Sequence, residues 1–69
     1  MKTFLKTRIK DSLGGQDAYI ALDDIVMFSA NDNSNNTTIV TKNKCYTAII
    51  NFSEMEEIVK KNYKIIKSC

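Results

Sequence analysis

Side chains alternate between apolar and polar with a period of two over residues 3–10, and this rhythm constrains the chain more than any other feature. Leu5, Thr7 and Ile9 fall on one side, and Phe4, Lys6, Arg8 and Lys10 on the other. In an extended strand successive Cβ atoms point to opposite faces. Residues 3–10 therefore predict a strand that is buried on one face and charged on the other. A similar rhythm in Thr37–Thr41 and in residues 45–50 predicts a hairpin across Lys42-Asn43-Lys44, and residues 18–22 predict a further strand. The helical period appears once, after Ser53. Ser53-Glu54-Met55-Glu56 has the form of a capping box, with Ser53 as N-cap and Glu56 at N3. Acids in the first turn, with Lys60 and Lys61 in the last, complement the helix dipole, and Met55, Ile58, Val59 and Asn62/Tyr63 mark the inward face.

The segments between these elements have turn chemistry. Ser12-Leu13-Gly14-Gly15-Gln16 contains both glycines of the chain and suits a hairpin turn. No Lys-Ser/Thr follows the pair, so a phosphate loop is disfavoured. Asp23-Asp24 predicts a side-chain-capped turn or a bulge. Next to it, Ile25-Val26-Met27-Phe28 is apolar on both faces, as a central strand covered by a helix would be. Asn31-Asp32-Asn33-Ser34-Asn35-Asn36 is a loop whose asparagines tolerate left-handed backbone. It lacks the glycine and the terminal glutamate of a calcium loop. Residues 63–67 either extend the helix or form a short sixth strand. The fold class expected is α+β: a small antiparallel sheet of about five strands with one C-terminal helix packed on one face. The Met55, Ile58, Val59 face is expected to cross the strand holding Ile25 and Met27, or Val26 and Phe28.

At 69 residues the chain amounts to one small domain, residues 1–69, near the lower size limit for folding on its own core. A core of this size supplies about 3–5 kcal/mol of net stability unless disulfides or metals add to it, so self-association or docking on a larger protein is expected. Thr3 to Lys10 would form an edge guarded by Lys6, Arg8 and Lys10, and the hairpin of residues 37–50 would be the contact of a symmetric homodimer. Cys45, inside a strand pattern, is expected to be a buried thiol, and Cys69 an exposed one. With no His in the chain, two cysteines cannot complete a zinc site, so no metal and no cofactor are expected. Residues 1–10 alternate charge with apolar side chains, unlike a signal peptide, and no apolar run approaches the roughly 18 residues of a membrane span. A cytoplasmic, reducing setting is expected, in which the Asn-X-Ser/Thr triplets at Asn35, Asn36 and Asn51 carry little meaning.

Catalysis is disfavoured by inventory. A base titrating near neutrality is missing, no Ser or Cys sits beside one, and adjacent carboxylates at Asp23 and Asp24 would point to opposite faces of an extended chain. No catalytic residue is nominated. The net charge of +2 is small, but its distribution is uneven. Residues 1–10 hold Lys2, Lys6, Arg8 and Lys10. Residues 11–35 hold Asp11, Asp17, Asp23, Asp24 and Asp32 with no Lys or Arg, and the chain from residue 60 onward holds Lys60, Lys61, Lys64 and Lys67 with no acid. If the two ends meet in space, they form one basic face.

Two families resemble parts of this pattern. Ile20-Ala21-Leu22-Asp23-Asp24-Ile25-Val26-Met27-Phe28 is similar to the opening strand pair of LytTR-type DNA-binding domains. Phe52-Ser53-Glu54-Met55-Glu56-Glu57-Ile58-Val59 is similar to their helix, and Tyr63-Lys64-Ile65-Ile66-Lys67-Ser68 to their Arg-rich strand. On that resemblance Lys64 and Lys67 take the family's arginine positions and Ser68 its serine, while Ile66 departs from its histidine. Leu5-Lys6-Thr7-Arg8-Ile9 resembles the opening of small FlbD-like proteins, with the Thr37-Thr38-Ile39-Val40 strand and a C-terminal helix in the same order, and Asn43 where that family has Gly. Both resemblances imply a regulatory role, and the first implies DNA.

Two functions follow. One is a non-catalytic, nucleic-acid-associated transcription regulator, with Lys42, Lys44, Lys60, Lys61, Lys64 and Lys67 meeting phosphates and Arg8 reading base or phosphate. The other is a protein-interaction module, an inhibitor or adaptor binding a larger protein through an edge strand or the acidic residues 11–35.

Overall fold

The computed structural model describes residues 2–11, 14–31 and 35–68. Their elements are β1 (Phe4–Asp11), β2 (Gly14–Ala21), a single 3₁₀ turn (Leu22–Asp24), β3 (Ile25–Ala30), β4 (Thr37–Thr41), β5 (Cys45–Ala48) and α1 (Phe52–Asn62). All five strands form one antiparallel sheet in the order β2-β1-β5-β4-β3. With its C-terminal helix, this is the expected small α+β fold. Ser12, Leu13, residues 32–34 and Cys69 lie outside the described residues, as do the parts of the expected turn, loop and terminal thiol that rest on them.

The β1–β2 hairpin is the longest pairing, in register from Phe4↔Ala21 to Asp11↔Gly14. β2 opens at Gly14, whose φ of 123° is open to glycine and costly for other residues. At the far end of the order, β2 and β3 are opposite edges, yet only Leu22–Asp24 joins them. Four inter-strand steps of about 4.8 Å would set the edges of a flat sheet about 19 Å apart. The four residue steps from Ala21 to Ile25 reach about 14 Å at most. The sheet must therefore curl, and its concave side becomes the core. Leu5, Ile9, Ile20, Leu22, Ile39 and Ala48 meet there under Met55 of α1, with Ile39, Ala48 and Met55 wholly excluded from solvent. Buried Thr37 joins them without an orphaned hydroxyl, because its Oγ1 donates to the Ile50 carbonyl at 2.8 Å.

Several expectations are corrected here. Residues 25–28 belong to an edge strand rather than a central one, and β1 is interior, bonded to both β2 and β5. The pairing of β3 with β4 shifts register between Ile25 and Met27. One extra residue in a strand inverts the alternation beyond it. Ile25 and Phe28, three apart, thus both pack on the core, while Val26 and Met27 are 62% and 53% exposed. Neither of the two period-two alternatives for the helix contact holds. The contact runs instead through Phe28 against Phe52, with ring centroids 5.5 Å apart. The hairpin assigned to a dimer has no free edge, since β4 bonds to β3 and β5, and β5 to β4 and β1. Cys45 is an exposed free thiol: its neighbour Tyr46 takes the core side, which turns Cys45 outward. Residues 64–68 are neither helix nor strand, because α1 ends at Asn62 and Tyr63 is already extended, with φ −142° and ψ 152°.

The helix also starts two residues earlier than the capping box suggests. Asn51 is the N-cap, and its side-chain oxygen accepts from the Ser53 backbone N–H at 2.8 Å. Both residues are good caps by type. The Phe52–Phe28 contact favours Asn51, because it draws Phe52 into the first helical turn. Asn51→Ala is expected to cost about 1 kcal/mol and Ser53→Ala distinctly less, measured as denaturant midpoints. The reverse order would move the cap back to Ser53.

Candidate nucleic-acid interface

The convex side of the sheet is uncovered over β1 and β2. Directly paired residues of antiparallel strands share a face, so the register places Lys6 beside Tyr19, Arg8 beside Asp17 and Lys10 beside Gly15 on the outside, while the exposed Phe4 pairs with Ala21, which is itself buried. Phe4 is 54% and Tyr19 67% exposed, large values for aromatic side chains on a folded strand pair. The Lys6 Nζ lies 6.0 Å from the centroid of the Tyr19 ring, within cation–π range. Successive outward residues on β1 are about 6.7 Å apart. Phe4 to Lys10 thus spans about 20 Å, with aromatic surface at one end and three cations along its length.

Arg8 is oriented rather than free. Its Nη1 is 3.2 Å from the Asp17 Oδ1, and its Nη2 donates to the Gly15 carbonyl at 3.1 Å. A Cβ at Gly15 would lie 3.3 Å from that Nη2, so glycine here lets the guanidinium lie flat across β2. The pair is well exposed, and such pairs contribute at most about 1 kcal/mol. Its main consequence is positional: the guanidinium plane is held on the same face as Tyr19 and Phe4. On this face Asp17 offsets one cation, and Lys6 and Lys10 keep their charge toward solvent.

The remaining nominated residues lie on other elements. Lys42 and Lys44 sit in the β4–β5 turn. There Thr41 Oγ1 donates to the Lys44 carbonyl and accepts from the Lys44 N–H, and the Lys44 Nζ lies 5.9 Å from the Tyr46 ring. Lys60 and Lys61 occupy the last turn of α1, where they complement its dipole. Lys64 and Lys67 are exposed in the irregular segment after it. These six lysines and Arg8 thus belong to different elements of the fold. The structure groups Arg8 with Lys6, Lys10, Phe4 and Tyr19, four residues that sequence reading left out of the site. Lys6 and Lys10 share the alternating face with Arg8 and were legible there. The position of Tyr19 opposite Lys6 depends on the hairpin register, which the sequence does not print.

A second surface feature lies at the β3 edge, where a groove of about 420 Å³ opens between β3 and the end of α1, with Ile25, Val26, Phe28 and Val59 on its walls. Tyr63 stands at its rim and donates its hydroxyl to the Asp23 carboxylate. That hydrogen bond, aided by desolvation and by the carboxylate's charge, holds the Tyr63 hydroxyl above its ordinary pKa of 10.0. Among the described residues no group of three or more His, Cys, Asp or Glu is arranged to hold a metal ion, and no helix is long and apolar enough to cross a membrane. Comparison with protein-family models, curated proteins and solved structures finds no match to this chain.

Proposed function

We propose that this protein is a small, non-catalytic regulatory module that holds a single-stranded nucleic acid on the convex face of β1 and β2. The observation that carries the reading is the interleaving of Phe4 and Tyr19 with Lys6, Arg8 and Lys10 on one exposed face. Single strands are held by aromatic platforms on which bases stack and by cations that track the phosphates. The bases of a duplex are already stacked and give Phe4 and Tyr19 nothing to cover. Phe4 and Tyr19 take two bases, Lys6 and Lys10 meet phosphates, and Arg8, fixed by Asp17 and Gly15, offers its plane to a third base or its free N–H groups to a phosphate. The regulatory role rests on the LytTR and FlbD-like resemblances.

Fluorescence anisotropy with a labelled single strand and with a duplex of equal length tests the proposal. The single strand is expected to bind more tightly at every salt concentration. Each phosphate neutralised on a single strand contributes about −0.7 to the slope of log affinity against log salt. Contacts from Lys6 and Lys10, with or without Arg8, give a slope of about −1.4 to −2.1. A preference for the duplex would point to phosphate contacts alone and remove the stacking role.

A further inference from the structure

We infer that two copies of this chain exchange their C-terminal segments, with residues 64–68 of each laid along the open edge of β3 in the other. β3 is the edge of the sheet on its side, and Val26 and Met27 stand exposed on it beside the apolar groove. A strand edge presents a row of backbone donors and acceptors that another extended segment can satisfy. Residues 64–68 match that edge in shape and chemistry. They read Lys-Ile-Ile-Lys-Ser, take no part in helix or sheet, and leave Ile65 45% and Ile66 84% exposed. In an extended segment these two isoleucines point to opposite faces. One therefore enters the groove against Val59 and Phe28 while the other covers Met27.

Charge favours the same seating. Asp23 lines the groove, and the incoming segment brings Lys64 and Lys67. A chain's own segment is poorly placed to fill its own groove. Tyr63 is anchored at the rim by Asp23 and runs extended, and residues 64–68 contain no Gly or Pro with which to reverse at once. A second copy approaches along the edge without that reversal. Reciprocal exchange fills both grooves and closes the assembly on a two-fold axis.

Light scattering of the full chain over a wide range of concentration is expected to show a species of twice the 7.8 kDa monomer mass. Ile66→Asp and Val26→Asp alter exposed residues, so both variants are expected to fold. Each should weaken self-association by about 100-fold or more, because every homodimer loses two contacts, each worth roughly tenfold or better. Mixing the two variants restores one intact segment facing one intact groove, so the mixed dimer should be more stable than either variant alone. A mass of 7.8 kDa at every concentration, a dimer indifferent to Ile66→Asp, or no gain on mixing would each overturn the exchange. All three measurements are made without nucleic acid and are independent of the function proposed above.

Discussion

Met55→Asp is expected to unfold the protein. Met55 is wholly buried and is the buried residue of α1, in the same core cluster as Ile39 and Leu22. Truncating such a side chain alone costs about 2–5 kcal/mol through lost burial and the cavity left behind. A carboxylate at the same place adds a desolvation cost with no cation to meet it. The net stability of a domain this small is about 3–5 kcal/mol, so the substitution exceeds the available margin. Far-ultraviolet dichroism and a proton–nitrogen correlation spectrum should show a disordered chain. Glu57→Ala, on the exposed side of the same helix, should leave both unchanged. A dispersed native spectrum for Met55→Asp would show that α1 does not close the concave side of the sheet.

The second large effect concerns binding. Phe4→Ala combined with Tyr19→Ala is expected to weaken single-strand binding by at least about 30-fold, since each stacked base is worth about 1–3 kcal/mol. The salt slope should barely move, because Lys6, Arg8 and Lys10 remain. Both aromatics are more than half exposed, so stability should fall only modestly, and a thermal melt of the same sample separates loss of binding from loss of fold. Unchanged affinity in a folded double variant would leave the aromatic platform without a role.

The elements differ in how far their residues announced them, and the differences have physical causes. β1 was legible because one of its faces is buried and the other charged, so its alternation is complete. β2 begins at Gly14, four residues before the strand that residues 18–22 predict. Gly14, Gly15 and Asp17 are poor strand formers and are carried into the sheet by pairing with all of β1. The shift at Val26 has no marker in the sequence, since no glycine signals it, and it decides which residues of β3 meet the helix. The joint between β1 and β5 was equally hidden. It rests on the pairing of Ile9 with Ala48 and the Ile49 N–H bond to the Arg8 carbonyl. For the site, Arg8 and its charged neighbours on β1 could be read from spacing, whereas Tyr19 could not. Lysines in a turn, a helix end and an irregular segment look alike in sequence, and only the fold assigns them to those different elements.

The central claim is that the convex face of β1 and β2 is the nucleic-acid site, and a nuclear magnetic resonance titration of the labelled protein with a short single strand tests it most directly. The expected result is saturable shift changes at Phe4, Lys6, Arg8, Lys10 and Tyr19, with little change at Met55 or Ile39 in the core. Shifts concentrated at Lys42, Lys44 and Lys60, or none at low salt, would contradict it.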